Sequence, residues 1–294
     1  MKKQIFQASL AIAMPALLIG CGPTQDTATT DTTEPDVAQT EVTETAETAD
    51  TGDLQAYANG EERPQVGFTS ADGWDLTFDH IYVHLSDISA YQMDPPYDYT
   101  SQEAIQDAEV EVSWEPTTVD LVTGDEDDPT VRVGEVSNAQ PGHYNAISWR
   151  MAPAPDGPAE GYSMVIIGTG ERDGETVDFV LNIDREFAYS CGDFVGDERK
   201  GFLEAGETAD VEATFHFDHL FGEGSRSPDD ALNVSAFGFE PLAALATDGR
   251  IEADLDTLQA ALPVEDFARL ESSLVELGHA GEGHCYEAIS GQTS

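Results

Sequence analysis

The chain has 294 residues, and its 58 acidic residues against 12 basic ones give a formal net charge of -46 at pH 7. A surface this negative repels phosphate groups, which excludes electrostatic binding to nucleic acid. The one long apolar run covers residues 4–20, so a protein with several membrane-spanning helices is excluded as well.

The first twenty residues have the pattern of an export signal. Lys2 and Lys3 form a basic start, and a short apolar stretch follows over residues 5–19. This stretch is interrupted by polar residues and is short for a spanning helix, which favours a cleaved signal peptide over residues 1–20.

The end of this signal carries a motif of its own. The segment Leu18-Ile19-Gly20-Cys21 resembles the lipobox of bacterial lipoproteins, in which the cysteine is lipidated and the peptide is cut before it. The resemblance implies lipidation of Cys21 and a stable anchor in a membrane through more than one acyl chain. Because Gly22 follows, it also implies a cell-envelope protein at the outer membrane or the cell surface.

Residues 21–56 are predicted to be a lipidated, disordered tether. They consist almost entirely of Thr, Asp, Glu, Ala and Gln, and such a composition cannot bury enough apolar surface to offset the entropy of ordering. The folded domain is therefore predicted over residues 57–294.

Acidic residues are spread over the whole chain, and Lys200 is the only lysine after residue 20. This composition resembles that of proteins from salt-loving organisms, in which counterions screen the mutual repulsion of the carboxylates. Acidic clusters are consequently poor evidence for a site here. The run 125–128 and the segment 193–207 are interpreted as turns, with calcium binding as a weak alternative.

Two cysteines remain after Cys21, namely Cys191 and Cys285. An even pair in an exported protein favours a disulfide. A pair of thiolate metal ligands is the alternative.

The hydrophobic pattern predicts a mainly β fold, an antiparallel β-sandwich. Period-two segments bounded by turn residues predict strands over residues 66–69, 76–85, 109–114, 117–121, 131–136, 143–151, 164–170, 176–187 and 210–217. The pair Asp173-Gly174 predicts a tight hairpin between two of them. Helical patterns at 241–246, 255–262 and 264–277 predict a small C-terminal helical cap.

Histidines carry the main chemical signal, because six of the seven fall into three pairs. His216, Asp218 and His219 lie within four residues, at a predicted strand end just before Gly222. Two imidazoles and a carboxylate at this spacing can converge on one ion, and these ligand types suit Zn²⁺ or Cu²⁺. Histidines that pack on phenylalanine rings, with Asp218 capping backbone amides, are the alternative.

A second pair, His279 and His284, lies in a glycine-rich tail just before Cys285. If Cys285 bonds to Cys191, the tail is held near the sheet and the two pairs can meet in one site. His80 and His84, predicted on one face of a strand, are secondary metal candidates, with a structural role as the alternative.

Several segments together resemble known families. They are Gly73-Trp74, residues 78–83, Val119-Asp120-Leu121, residues 141–147 and residues 215–222. They look like a group of acidic, poorly characterised bacterial lipoproteins, and are distantly similar to the methanobactin-associated periplasmic copper proteins. The resemblance implies a β-sandwich and favours metal binding. Those copper proteins carry a four-cysteine arrangement that this chain lacks, so no ligand is transferred from them.

The sequence thus predicts a non-enzymatic, membrane-anchored lipoprotein that binds Zn²⁺ or Cu²⁺ for capture or for handover to a membrane receptor or metal-transfer protein. The alternative is a metal-free module that binds a protein or glycan through aromatic residues near the Pro95-Pro96 loop, namely Tyr91, Tyr97, Tyr99 and Trp114. An enzyme ranks third, because no nucleophile–base pairing and no common catalytic motif can be read from the sequence.

Overall fold

The computed structural model describes residues 50–125 and 128–289. The predicted signal peptide, the lipidation site Cys21 and the predicted tether up to residue 49 lie outside the described residues. Glu126 and Asp127 of the weak calcium candidate lie outside them too.

Strands make up most of the regular structure in the described residues. In chain order they are β1 (Gly52–Asn59), β2 (Phe68–Thr69), β3 (Asp75–Gln92), β4 (Val110–Trp114), β5 (Thr117–Asp120), β6 (Thr130–Ala139), β7 (Gly142–His143), β8 (Ala146–Met151), β9 (Met164–Arg172), β10 (Glu175–Ile183), β11 (Phe187–Cys191), β12 (Phe202–Leu203), β13 (Thr208–Phe215), β14 (Arg250–Asp254), β15 (Gly278–His279) and β16 (Cys285–Ile289).

Helices are short and lie mostly in the C-terminal part. They are α1 (Arg63–Val66), α2 (Phe217–Phe221), α3 (Ala231–Ser235), α4 (Glu240–Ala243), α5 (Leu255–Ala261) and α6 (Val264–Val275), with 3₁₀ turns at Tyr99–Ser101, Leu121–Thr123 and Gly157–Ala159.

The fold is mainly β, as predicted, with 45% strand and 19% helix. Among the described residues one sheet has ten strands, in the order β14-β10-β9-β3-β8-β11-β16 with β2, β4 and β5 also paired to β3. A second sheet has the order β15-β13-β1-β6, and β12 pairs with β7. Most pairs are antiparallel, as predicted, whereas β1 runs parallel to β13 and β10 runs parallel to β14.

The two larger sheets share one hydrophobic core, which is the arrangement of a β-sandwich. Trp149 on β8 and Phe215 on β13 come from different sheets, and their ring centroids lie 6.1 Å apart. Both side chains are almost fully buried. Edge-to-face aromatic contacts of this kind stabilise a core beyond the area they bury.

Strand β1 corrects the predicted end of the tether. The residues alternate between buried and half-buried positions from Gly52 onward, and Leu54, Ala56 and Ala58 point into the core. This is the period-two pattern of a strand with one face on a core. Residues 52–56 therefore belong to the folded domain, although their composition resembles that of the tether.

Local signals placed other elements correctly. The hairpin between β9 and β10 turns at Asp173 and Gly174, which both have positive φ (52° and 85°), as a type I′ turn requires. Helix α5 begins where the Asp254 carboxylate accepts a hydrogen bond from the Thr257 amide at 2.8 Å. The predicted helices 241–246 and 264–277 are each shorter than expected, ending at Ala243 and Val275.

Cys191 and Cys285 form a disulfide that joins the paired strands β11 and β16. Their Cα atoms lie 4.2 Å apart, and the bond closes a chain segment of 94 residues. The tail between α6 and β16 is therefore fixed at both ends. Among the described residues, no helix is long and apolar enough to cross a membrane.

Candidate metal centre

The first part of the site lies where β13 gives way to α2. The sequence predicted a strand over residues 210–217, but β13 ends at Phe215 and residues 217–221 form a helical turn. The reason is the spacing of Phe217, Leu220 and Phe221, which lets all three side chains enter the core from one helical face.

The second part of the site is contributed by strand β15, which pairs antiparallel to β13. His279 lies opposite Thr214, and the His216 amide donates a hydrogen bond to the Leu277 carbonyl at 3.0 Å. Gly278 is needed here because a Cβ at this position would lie 2.6 Å from the Tyr189 ring. Backbone pairing therefore brings His279 beside His216, although 62 residues separate them in the sequence.

Three imidazoles meet at this point. The ring centroid of His279 lies 4.6 Å from that of His216 and 5.0 Å from that of His219, and the centroids of His216 and His219 lie 5.5 Å apart. Imidazoles that share one tetrahedral Zn²⁺ at 2.0–2.1 Å have ring centroids about 5 Å apart. One ligand atom each of His216, Asp218 and His219 lies within 4.8 Å of the other two. The spacing of His216, Asp218 and His219 suits one ion, whereas His279 is not part of this group and lies beside it.

Hydrogen bonds to the backbone fix the tautomers of two of the rings. The Nε2 of His216 lies 3.1 Å from the Gly281 carbonyl oxygen, and the Nε2 of His279 lies 3.1 Å from the Glu276 carbonyl oxygen. A carbonyl only accepts, so each Nε2 carries a hydrogen and Nδ1 is the nitrogen left to bind a metal. Ligating histidines are held in this way by a partner on their other nitrogen.

Buried polar atoms without a partner concentrate in this cluster. Among the described residues, Nδ1 of His219, Nδ1 of His279 and Oδ1 of Asp218 are buried and accept no hydrogen bond. The other oxygen of Asp218 lies 3.2 Å from the Arg63 guanidinium. Leaving a buried polar group unpaired is costly. A cation held between Asp218 and His219 would satisfy two of these atoms, and the His279 ring lies next to it.

Burial also sets the protonation of the rings. It lowers the pKa of His279 to about 4, and the neighbouring His216 and His219 rings act in the same direction. Burial lowers the pKa of His219 too, against the opposing effect of Asp218. Both rings are therefore neutral at pH 7, which is the form that binds a metal.

Two carboxylates that sequence reasoning did not assign to the site border it. Glu61 has Oε1 3.7 Å from Nδ1 of His216, and ligand atoms of Glu61, His216 and Glu282 lie within 4.8 Å of one another. Burial raises the pKa of Glu61, with His216 and Arg63 opposing the shift. Glu282 lies between His279 and His284, in the tail segment that sequence analysis singled out. Nothing in the local sequence around Glu61 indicates the site.

The predicted ligand His284 lies at the edge of the cluster. Its ring centroid is 5.7 Å from that of His279 and 6.0 Å from that of the partly exposed Tyr99. His284 and Glu282 are both exposed, whereas His216, Asp218 and His279 are buried. The site thus runs from buried imidazoles to an exposed rim.

The secondary candidates His80 and His84 are not brought into this cluster. His80 pairs with Asp120 at 2.7 Å and stacks on Tyr82, whereas the buried His84 pairs with Thr118 at 3.0 Å. Each ring thus has its own polar partner on a neighbouring strand, as the structural alternative expected. Both groups of candidate ligands found among the described residues contain His216.

The weak calcium candidates show turn geometry where they are described. The backbones of Asp125 and Asp128 hydrogen-bond to each other, and the Asp128 carboxylate accepts from Thr130. In the second segment, Asp193 lies 3.1 Å from Nε2 of His143. These carboxylates have partners that explain their positions without an ion.

The aromatic residues of the alternative function differ in burial and in their partners. Trp114 is buried in the core, while Tyr91 lines an open cavity of about 370 Å³ beside Ser148. The Tyr97 hydroxyl donates to the Glu103 carbonyl at 2.7 Å, and Tyr99 lies next to His284.

Comparison of the chain with protein-family models, with curated proteins and with solved structures finds no match. The resemblances noted from the sequence therefore stay expectations.

Proposed function

We propose that this protein binds one Zn²⁺ or Cu²⁺ ion through the Nδ1 atoms of His216, His219 and His279 and the Oδ1 atom of Asp218. The observation that carries the proposal is a set of unpartnered buried atoms in one cluster: Oδ1 of Asp218 and Nδ1 of His219 and of His279 lack a hydrogen-bond partner within the described chain. Three nitrogens and one carboxylate oxygen are a common tetrahedral ligand set.

The ligand types decide between metals. Imidazole nitrogens suit Zn²⁺ and Cu²⁺, whereas Ca²⁺ and Mg²⁺ prefer shells made entirely of oxygen. A divalent ion bound by imidazoles and one carboxylate keeps one positive charge, and the Glu61 carboxyl group lies 3.7 Å from His216. The site therefore favours a transition metal.

The biological role we propose is capture and handover rather than catalysis. The lipobox-like Leu18–Cys21 segment supports a lipid anchor in the cell envelope, with the domain held outside the membrane. A membrane receptor or a metal-transfer protein would receive the ion. Common catalytic motifs are absent from the sequence, which supports a binding role.

The test is the metal content of the full chain, purified in high salt and loaded with Zn²⁺ or Cu²⁺ before exchange into metal-free buffer. We expect close to one ion per chain in the wild type and a near-complete loss in His216→Ala/His219→Ala. The matched control is His80→Ala/His143→Ala, which removes two imidazoles outside the cluster and should leave the metal content unchanged.

Cobalt substitution supplies a second readout that reports on geometry. Co²⁺ in a tetrahedral site with three nitrogens and one oxygen absorbs visible light far more strongly than Co²⁺ in an octahedral site. Wild-type protein without bound metal after loading, or equal metal content in the cluster double variant, would refute the proposal.

A further inference from the structure

The exposed rim of the metal centre contains ligands that the buried ion would not need. Glu282 and His284 are exposed, and Glu61 is partly exposed, with a quarter of its side chain accessible. Ligand atoms of Glu61 and Glu282 lie within 4.8 Å of a ligand atom of the buried His216, and the His284 ring centroid lies 5.7 Å from that of the buried His279.

His216 belongs to both layers of this arrangement. Its ligand atoms lie within 4.8 Å of those of Asp218 and His219 on the buried side, and within 4.8 Å of those of Glu61 and Glu282 on the outer side. An ion held by the outer carboxylates therefore already touches a ring that also faces the inner ligands.

The rim is held in place by the fold. The Glu282 amide donates to the Val195 carbonyl at 2.7 Å, and the Val195 amide donates to the Ala280 carbonyl at 3.2 Å. Gly281 has φ of 59°, and a Cβ there would lie 2.1 Å from the Val195 carbonyl oxygen. The disulfide of Cys285 begins one residue after His284. The rim ligands are thus positioned over the buried rings.

We propose that Glu61, Glu282 and His284 form a loading site, through which a divalent transition-metal ion enters the buried centre and leaves it again. A hydrated cation exchanges its water ligands stepwise, and carboxylates at the surface attract it and replace the first waters. His216 then passes the ion inward, where His219, His279 and Asp218 replace the remaining waters. This inference rests on the proposed function of the buried centre.

The loading site has a kinetic signature. A group that binds the ion only in transit lowers the free-energy barrier for metal binding and for metal release alike. Its removal therefore slows both processes by the same factor. The dissociation constant then stays unchanged. A group that ligates the stored ion would instead accelerate release and raise the dissociation constant, and a group that only attracts the ion from a distance would slow binding alone.

The test compares Zn²⁺ binding and release in the full chain and in Glu282→Gln/His284→Gln. Stopped-flow mixing with ZnCl₂ gives the association rate constant, and transfer to a chromogenic chelator gives the release rate constant. The matched control is Glu265→Gln/His80→Gln, which makes the same changes at exposed positions away from the centre and leaves the same net charge.

We expect both rate constants of the rim variant to fall on the order of tenfold, while the dissociation constant stays within about twofold and the control matches the wild type. Rates equal to those of the control would overturn the loading site. So would faster release with a raised dissociation constant, or slower binding with unchanged release. Wild-type protein that takes up neither Zn²⁺ nor Cu²⁺ would instead refute the buried centre itself, before any variant is compared.

Discussion

The Arg63 guanidinium lies 3.2 Å from Oδ2 of Asp218, while Oδ1 of the same carboxylate is buried and has no partner among the described residues. Arg63 also contacts Glu61 and Glu223. One arginine thus neutralises the acidic side of the metal centre and competes with a bound ion for the charge of Asp218.

Arg63→Met is expected to have opposite effects on folding and on metal binding. Removing one partner of a buried ion pair leaves an uncompensated charge, so the metal-free protein should lose about 3 kcal/mol of unfolding free energy. The affinity for Zn²⁺ should be kept or increased, because the ion then becomes the main counter-charge of Asp218. Chemical unfolding in high salt and competition with a chelator measure the two quantities.

Arg226→Met is the control for this prediction. Arg226 also pairs with Glu223, at 3.1 Å, but it is more exposed, and the Asp218 carboxylate acts on it only through a weaker electrostatic interaction. Its loss should change stability by less than about 1 kcal/mol and leave the affinity unchanged. A large fall in Zn²⁺ affinity in Arg63→Met would mean that Arg63 supports the centre and does not compete with it.

His279→Gln tests the contribution of the third imidazole. The glutamine amide can still donate to the Glu276 carbonyl, so the fold should be kept, but Nδ1 is lost. Changing even a group that only supports a ligand typically costs 10–100-fold in metal affinity, so we expect a loss of at least about 100-fold in Zn²⁺ affinity.

The measurement is competition with a chelator of known affinity. His143→Gln is the control, since His143 stacks on Phe202 and pairs with Asp193 outside the cluster. Equal affinities of His279→Gln and the wild type would remove His279 from the ligand set and leave a site of His216, His219 and carboxylates.

Part of the site could be predicted from sequence because its members are neighbours along the chain. His216 and His219 are three residues apart, and any local structure with a bend after β13 keeps their rings close. The disulfide supplied the second link, because it ties the tail that carries His279 to the sheet. These inferences need only short-range spacing and the pairing of two cysteines.

Glu61 could not be predicted, because its place depends on β1. Strand β1 runs parallel to β13 with Asn59 opposite Thr214, so the residues two positions further on, Glu61 and His216, come together. The buried face of β1 consists of one leucine and two alanines, which give a weak hydrophobic signal, and the surrounding Asp, Thr and Gly resemble the tether. Parallel pairing of strands some 150 residues apart cannot be recognised from the local sequence of either strand.

The helical turn α2 escaped prediction for a related reason. Phe215 and Phe217 alternate with His216 and Asp218 as they would in a strand, yet all four residues are buried. Packing on every side removes the contrast between faces on which period-two reasoning depends. The tautomers of His216 and His279 cannot be predicted from the sequence either, because they are set by the backbone carbonyl groups of Gly281 and Glu276.

Glu287 gives a pH-dependent test of the fold that is independent of the metal centre. Burial raises its pKa to about 7, and the nearby Glu276 adds to the shift. The folded state therefore binds a proton that the unfolded state has already released above pH 4.5. The stability contributed by this proton is fully present below pH 4.5 and is lost as the pH rises through 7.

Glu287→Gln keeps the shape of the protonated side chain without its titration. The variant should match the wild type at pH 4 and exceed it by about 1–3 kcal/mol at pH 8, a range reduced for the partial exposure of this side chain. Urea unfolding of both proteins at the two pH values in high salt measures the difference. An equal difference at both pH values would show that the carboxyl group is not buried as described.

Removing the disulfide should weaken both the fold and the metal centre. Cys191→Ser/Cys285→Ser frees a segment of 94 residues, and loss of such a cross-link is expected to lower the unfolding free energy by about 4–5 kcal/mol on the chain-entropy account. Because the bond also ends the tail that carries His279 and His284, the Zn²⁺ affinity should fall. Chemical unfolding and chelator competition, each at high salt, measure the two effects.

Reduction of the disulfide in the wild type should reproduce both effects. A double variant with wild-type Zn²⁺ affinity would mean that pairing of β15 with β13 alone positions His279.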